Sequence, residues 1–312
     1  MPDNIIRGVI APNLTPFHAD LGVDTARYVS HAKHLLGTDA GGGCAGLAPF
    51  GTTGEAVSVG MQERMELLDA MVGADIDPAR MIVGTGLPSL PDTARLTRHA
   101  IGHRVAGVMV LPPFYYKNVS QEGLYTHYAK LIDMVGSDGL RIYLYHIPQV
   151  SGVDLSVRLV ERLRREFPGI VVGIKDSSGD WENTRALLGI EGLIVYPGSE
   201  LPLLDALALG APGCISATAN LNAAAIAEVI RMFDEGKLDE AQTAMEKVRA
   251  FRLKIQEHPA NAAQKQLLAL ATAKRDWAVV RPPLDPFGED AGRQLAGELE
   301  AKFGFRAQKT QA

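Results

Sequence analysis

The amino-acid sequence predicts a (β/α)8 barrel, and three observations carry that prediction. Eight short apolar runs alternate along the chain with amphipathic helical stretches. The runs are apolar throughout instead of alternating with polar residues, the pattern of strands buried on both faces of a parallel sheet. Each ends at Gly, Pro or Ser or is followed by one within three residues, the residues that stop a strand and start a connection. Eight such units close a barrel, while a doubly wound open sheet is the other architecture this alternation permits.

The strand candidates are residues 9–11, 46–48, 81–84, 107–111, 141–145, 171–175, 193–196 and 213–216. Helical patterns fill the intervals at 25–36, 59–72, 92–103, 121–135, 156–167, 181–188 and 201–209. Beyond Asn222 the strand signal stops. Residues 223–233, 238–258 and 262–271 read as helices, with Pro259 breaking the last two apart, and a final helix is expected over 292–302. The expected organisation is a catalytic barrel over 1–224 and a C-terminal helical region over 225–312, with a frayed polar end at 307–312.

Composition narrows the class. The formal charge of −5 over 312 residues lacks the dense basic face that a nucleic-acid partner requires. The first ten residues lack the apolar core of a signal peptide, and no run of about 18 apolar residues marks a membrane span. A cytoplasmic protein is expected. Cys44 and Cys214 form no CxxC pair and read as buried thiols. Gly41-Gly42-Gly43 lacks the GK[ST] of a phosphate loop and reads as a flexible connection.

In a barrel of this type the chemistry sits where strands end. The sixth strand ends in Gly173-Ile174-Lys175-Asp176. A lysine there points into the barrel mouth, where partial desolvation favours the free amine, a nucleophile towards carbonyl carbon. Taken alone, a strand-end lysine more often snorkels to solvent. The fifth strand ends in Tyr145-His146-Ile147-Pro148, beside the sixth, where a phenol can relay protons or simply pack on the rim. The second runs into Gly51-Thr52-Thr53-Gly54-Glu55. Backbone N–H groups and two hydroxyls in such a turn suit a carboxylate, although a plain βα turn reads the same way.

These three motifs, in this order, resemble the signatures of the dihydrodipicolinate synthase/N-acetylneuraminate lyase family. Gly213-Cys214-Ile215-Ser216-Ala217-Thr218-Ala219-Asn220 and Pro112-Pro113-Phe114-Tyr115-Tyr116 resemble it too. The resemblance runs from about Ile6 into the C-terminal helices. It implies a lyase in which Lys175 forms a Schiff base with the 2-oxo group of pyruvate or a pyruvate adduct, with no cofactor and no metal. Tyr145 and Thr52 would relay protons, while Thr53 and Gly51 would hold the pyruvate carboxylate. Gly198 and Ile215 match positions lining the pyruvyl pocket, and Ser177 and Glu200 are candidates for a hydroxylated substrate chain. Ser177 could equally be a helix cap. Tyr115, with Tyr116 as the alternative register, matches a tyrosine that reaches into a neighbouring subunit, which implies a homodimer or homotetramer.

The chain also departs from that pattern. The lysine-biosynthesis members carry an arginine two residues after the Tyr-x-x-Pro motif, and Val150 stands there instead. Valine cannot replace a bidentate carboxylate contact. Ser199 and Ala217 are not the residues usual in the sialic-acid branch. The expected activity is therefore aldol cleavage or formation between pyruvate and an aldehyde. The candidate substrates are a 2-keto-3-deoxy sugar acid, 4-hydroxy-2-oxoglutarate or a hydroxylated aromatic pyruvate adduct. Dehydration of a 2-keto-3-deoxy acid and dihydrodipicolinate-type synthesis with altered carboxylate recognition are the alternatives. A non-catalytic 2-oxo-acid sensor would not need both Lys175 and Tyr145. The pairs His31/His34 and His99/His103 have helical spacing but fall away from the barrel mouth, so they read as surface or packing histidines and not as a catalytic metal site.

Overall fold

The computed structural model describes residues 5–37 and 42–306. The expectations for the polar end at 307–312 and for the N-terminal part of the triple-glycine connection lie outside the described residues. The described residues form eight strands: β1 (Gly8–Ala11), β2 (Gly46–Leu47), β3 (Ile82–Gly84), β4 (Gly107–Val110), β5 (Ile142–His146), β6 (Val171–Asp176), β7 (Ile194–Pro197) and β8 (Gly213–Ile215). All pairings between them are parallel. β2, β1 and β8 are hydrogen-bonded in that order, and β3 to β7 follow in sequence order. A parallel bridge from Leu47 to Met81 joins β2 to β3, and β7 packs beside β8, so the ring closes.

The outer ring consists of α1 (Thr25–Leu36), α2 (Met61–Gly73), α3 (Leu90–Gly102), α4 (Gln121–Val135), a four-residue turn α5 (Pro148–Ser151), α6 (Val157–Glu166), α7 (Trp181–Leu188), α8 (Leu203–Ala208) and α9 (Ala219–Asp234). Most start where a short polar side chain caps the free N–H groups of the first turn. Asp24, Ser89, Ser120, Ser156 and Asp180 each accept from backbone N–H groups there. The boundary expected at residue 224 falls inside α9, which packs on β1 as the eighth helix of the ring. Beyond it lie α10 (Leu238–Gln256), α11 (Ala260–Thr272) and α12 (Glu289–Phe303).

Alternate residues of each strand serve two separate cores. Val9, Leu144, Ile174 and Val195 face the helices in one large apolar cluster. Ile10, Tyr143, Tyr145, Tyr196 and Ile215 fill the barrel interior in another.

The C-terminal helices are held to the barrel by a buried ion pair. Lys265 Nζ of α11 lies 2.6 Å from Glu55 Oε1, with both side chains inaccessible to solvent. The other Glu55 oxygen accepts from the backbone N–H of Arg281 at 3.2 Å. Burial pulls the Lys265 ammonium down to about 8, against the pull of Glu55 in the other direction. Truncating one member leaves the other charge buried without compensation. Lys265→Met is therefore expected to lower unfolding stability by about 3–5 kcal/mol, read from urea midpoints at constant slope.

Candidate active site

A cavity of about 600 Å³ opens at the carboxyl ends of the strands, with walls from β5, β6, β7 and the C-terminal helices. Lys175 and Tyr145 are register partners across β5 and β6. Both line the cavity, and Lys175 is only 3% exposed. The Lys175 amine donates to the Tyr145 phenol oxygen at 3.3 Å and lies 4.3 Å from the ring centre. The Thr52 hydroxyl sits 3.0 Å from the same phenol oxygen, so amine, phenol and hydroxyl form one chain.

The turn that supplies Thr52 is strained on both sides. Phe50 (φ 60°) and Glu55 (φ 54°) occupy the left-handed region, which a residue with a Cβ adopts only at a cost. Neighbours over-determine the turn. Thr15 donates to the carbonyl of Gly54 at 2.7 Å, the Asn261 amide donates to the carbonyl of Thr52 at 3.0 Å, and the Glu55 carboxylate is fixed by Lys265. Among the described residues, no protein acceptor takes the N–H of Thr52 or Thr53. With the Thr53 hydroxyl on the cavity wall, the turn offers several donors to an anion.

Gly198 and Ser177 share the opposite wall. A Cβ on Gly198 would collide with Ser177, so only glycine lets β7 approach β6 there. Ser177 does not cap α7, a role that falls to Asp180. Its backbone N–H donates to the His146 carbonyl and its carbonyl accepts from Gln149 at 2.6 Å, leaving the hydroxyl on the wall. Gly51 sits at the start of the threonine turn, and Ile215 is fully buried in the barrel interior below the mouth.

Neither Gly51 nor Ile215 lines the cavity itself, and two further expected residues are placed elsewhere. Glu200 is fully buried, and its carboxylate oxygens accept from the hydroxyls of Ser216 and Thr218. It faces Arg252 at 3.8 Å and supports the wall from behind. Tyr115 is 74% exposed and packs edge-on against Tyr116, whose ring centre is 5.4 Å away, outside the cavity of its own chain.

The sequence alone missed several lining residues, among them one cation and three amides. Arg252 and Gln256 come from α10, Asn261 from α11 and Gln149 from the α5 turn. Helical periodicity could mark their helices but not which barrel end they would cover. Val150, also on α5, is 61% exposed at the rim.

Behind the lysine lies a charged triad. His146 Nδ1 is 3.0 Å from Asp176 Oδ1, and its Nε2 is 2.9 Å from Asp154 Oδ1. Burial opposes the imidazolium, but the hydrogen bonds and charges of Asp176 and Asp154 win and raise His146 above its ordinary value. Burial likewise opposes ionised Asp176, yet donors from His146, Thr184 and the Ser178 backbone lower it. The imidazolium therefore contributes stability in full below about pH 6.5, and that contribution is lost as pH rises through the raised value. Asp176→Asn is expected to lower the His146 pKa in an NMR titration and to remove part of this dependence. An unshifted His146 would assign the effect to Asp154 alone.

Residues 5–302 match the model of the dihydrodipicolinate synthetase family. An uncharacterised DapA-like lyase of Chloroflexus aurantiacus is 35% identical over 297 residues, covering 94% of this chain and 96% of the relative. A 4-hydroxy-tetrahydrodipicolinate synthase of Sorangium cellulosum is 35% identical over 295 residues, covering 93% and 94%. The crystal structure of dihydrodipicolinate synthase from Agrobacterium tumefaciens superposes with a TM-score of 0.85 at 34% identity, covering 95% of this chain and 99% of that one. The chain belongs to the dihydrodipicolinate synthetase family and is an enzyme, a lyase on an α/β barrel.

Proposed function

We propose that this enzyme is a Schiff-base aldolase that cleaves or forms the C3–C4 bond of a 4-hydroxy-2-oxo acid, with pyruvate as one partner. The observation that carries the reading is the buried Lys175 amine, 3.3 Å from a phenol that also meets the Thr52 hydroxyl, on the wall of a cavity. The amine adds to the C2 carbonyl and water leaves, giving a protonated imine. Loss of the C4 hydroxyl proton, relayed by Tyr145 and Thr52, lets the C3–C4 bond break. The aldehyde departs and the bonding electrons settle in an enamine that is neutral at nitrogen. Protonation at C3 and hydrolysis release pyruvate and free the lysine. The Thr53 hydroxyl and the N–H groups of the same turn hold the C1 carboxylate, which fixes the imine plane relative to the breaking bond.

The far wall favours an aldol partner other than the one used in dihydrodipicolinate synthesis. Val150 supplies no charge at the rim, whereas Arg252, Gln149, Gln256 and Asn261 supply one cation and three amides beside the carboxylates of Asp180 and Asp205. That set suits a hydroxylated or carboxylated chain, as in a 2-keto-3-deoxy sugar acid or 4-hydroxy-2-oxoglutarate. Exposed Tyr115 and Tyr116 support a homodimer or tetramer in which one of these tyrosines contacts the neighbouring subunit.

Incubation with pyruvate and borohydride is expected to add a reduced pyruvyl group to Lys175, located by peptide mass spectrometry and absent from Lys175→Ala. Failure to trap an adduct with pyruvate and with a panel of larger 2-oxo acids would overturn the assignment. Tyr145→Phe is expected to retain trapping while kcat for aldol cleavage falls by about 10²–10⁴.

A further inference from the structure

We propose that Asp69, His99 and His103 form a binding site for a borderline divalent cation of the zinc type, on the outer ring of the barrel and separate from the lysine cavity. His99 and His103 lie one turn apart at the carboxyl end of α3, so they share a face. Asp69 reaches them from α2, with its Oδ1 2.8 Å from His99 Nε2 and 2.7 Å from His103 Nε2. The three ligand atoms all lie within 4.8 Å of one another.

The ring geometry suits coordination through Nε2. The imidazole centres are 4.9 Å apart and the rings are inclined at 77°. Two imidazoles bound at tetrahedral angles, with metal–nitrogen bonds of about 2.0–2.1 Å, have centres about 5 Å apart. The carboxylate must retreat, because ligand atoms around such an ion stand about 3.3 Å from each other and Asp69 Oδ1 is closer than that to both nitrogens. Asp69 has that freedom, with 53% of its side chain exposed, whereas His99 and His103 are held at 17% and 27%. Solvent access on the Asp69 side also leaves room for water to complete the shell.

The donor set selects the class of ion. Two imidazoles and one carboxylate suit zinc and its first-row neighbours, while magnesium and calcium prefer all-oxygen shells. The carbonyl end of the α3 dipole adds further attraction for a cation. Helices of the ring return antiparallel to their strands, so the carboxyl end of α3 lies at the barrel end opposite the cavity. A cation here fastens α2 to α3 and takes no part in the chemistry at Lys175.

Calorimetric titration of tag-free protein with zinc chloride, in a buffer that does not chelate, is expected to show one equivalent bound with micromolar affinity. Cobalt(II) should develop the intense visible absorption of a tetrahedral site, and the melting temperature should rise with zinc concentration. His99→Gln/His103→Gln should abolish all three responses, and Asp69→Asn should weaken binding. Borohydride trapping at Lys175 should be unaffected by chelator or by these substitutions. Absence of binding at submillimolar zinc, or equal affinity in the double variant, would overturn the proposal. In that case Asp69 is simply the shared acceptor of two histidine N–H groups.

Discussion

The site depends on a single irregularity in the pairing of β5 with β6. Ile142 pairs with Val171 but Tyr143 pairs with Gly173, so Val172 is an extra residue in β6. The shift puts both Val172 and Gly173 on the interior side and reverses the strand's alternation from there on. Lys175 thereby lands opposite Tyr145, facing the barrel interior. Without the bulge, the strand's period of two would turn the lysine towards the helices. Gly173 makes the arrangement possible, since a Cβ there would stand 2.6 Å from the Tyr143 ring. The Lys175 amine is thus aimed by a backbone feature two residues upstream.

The same alternation separates two charged systems that are adjacent in sequence. Tyr145 and Lys175 face inward, while their successors His146 and Asp176 face outward and bond to each other at 3.0 Å. Asp176 also accepts from Thr184 at 2.6 Å and from Asn183 and Ser178 at 3.1 Å, so its carboxylate is fully occupied on the helix side. Strand geometry keeps the charge of Asp176 in the structure without bringing it to the amine.

The strands and most helices were legible because burial on both faces leaves a continuous apolar signature, and because polar residues at the start of helices cap them. The helix expected over 25–36 coincides with α1, and those over 121–135 and 181–188 with α4 and α7. The α5 turn was not legible, since four residues carry no periodicity. Lys175, Tyr145, Thr52 and Thr53 could be singled out because a strand end specifies a location as well as a residue type. Glu200 and Glu55 could not be read in the same way. Each is a carboxylate in a loop after a strand, and only tertiary packing decides that one meets Ser216 and Thr218 while the other meets Lys265, 210 residues away. The contributions of α10 and α11 were hidden for the same reason, as a helix pattern does not say which end of a barrel it will cover.

Those C-terminal helices connect stability to chemistry. The threonine turn holds two residues at positive φ, a cost of order 1–3 kcal/mol for each that the turn cannot meet from its own contacts. Lys265 fixes the carboxylate of Glu55 at one end of the turn, and Asn261, one helical turn earlier on α11, fixes the carbonyl of Thr52. A single helix therefore clamps the turn whose hydroxyl touches the Tyr145 phenol. Weakening either contact should first disturb the position of Thr52, and with it the proton relay proposed for Tyr145, while the buried lysine stays in place because the pairing of β5 with β6 positions it.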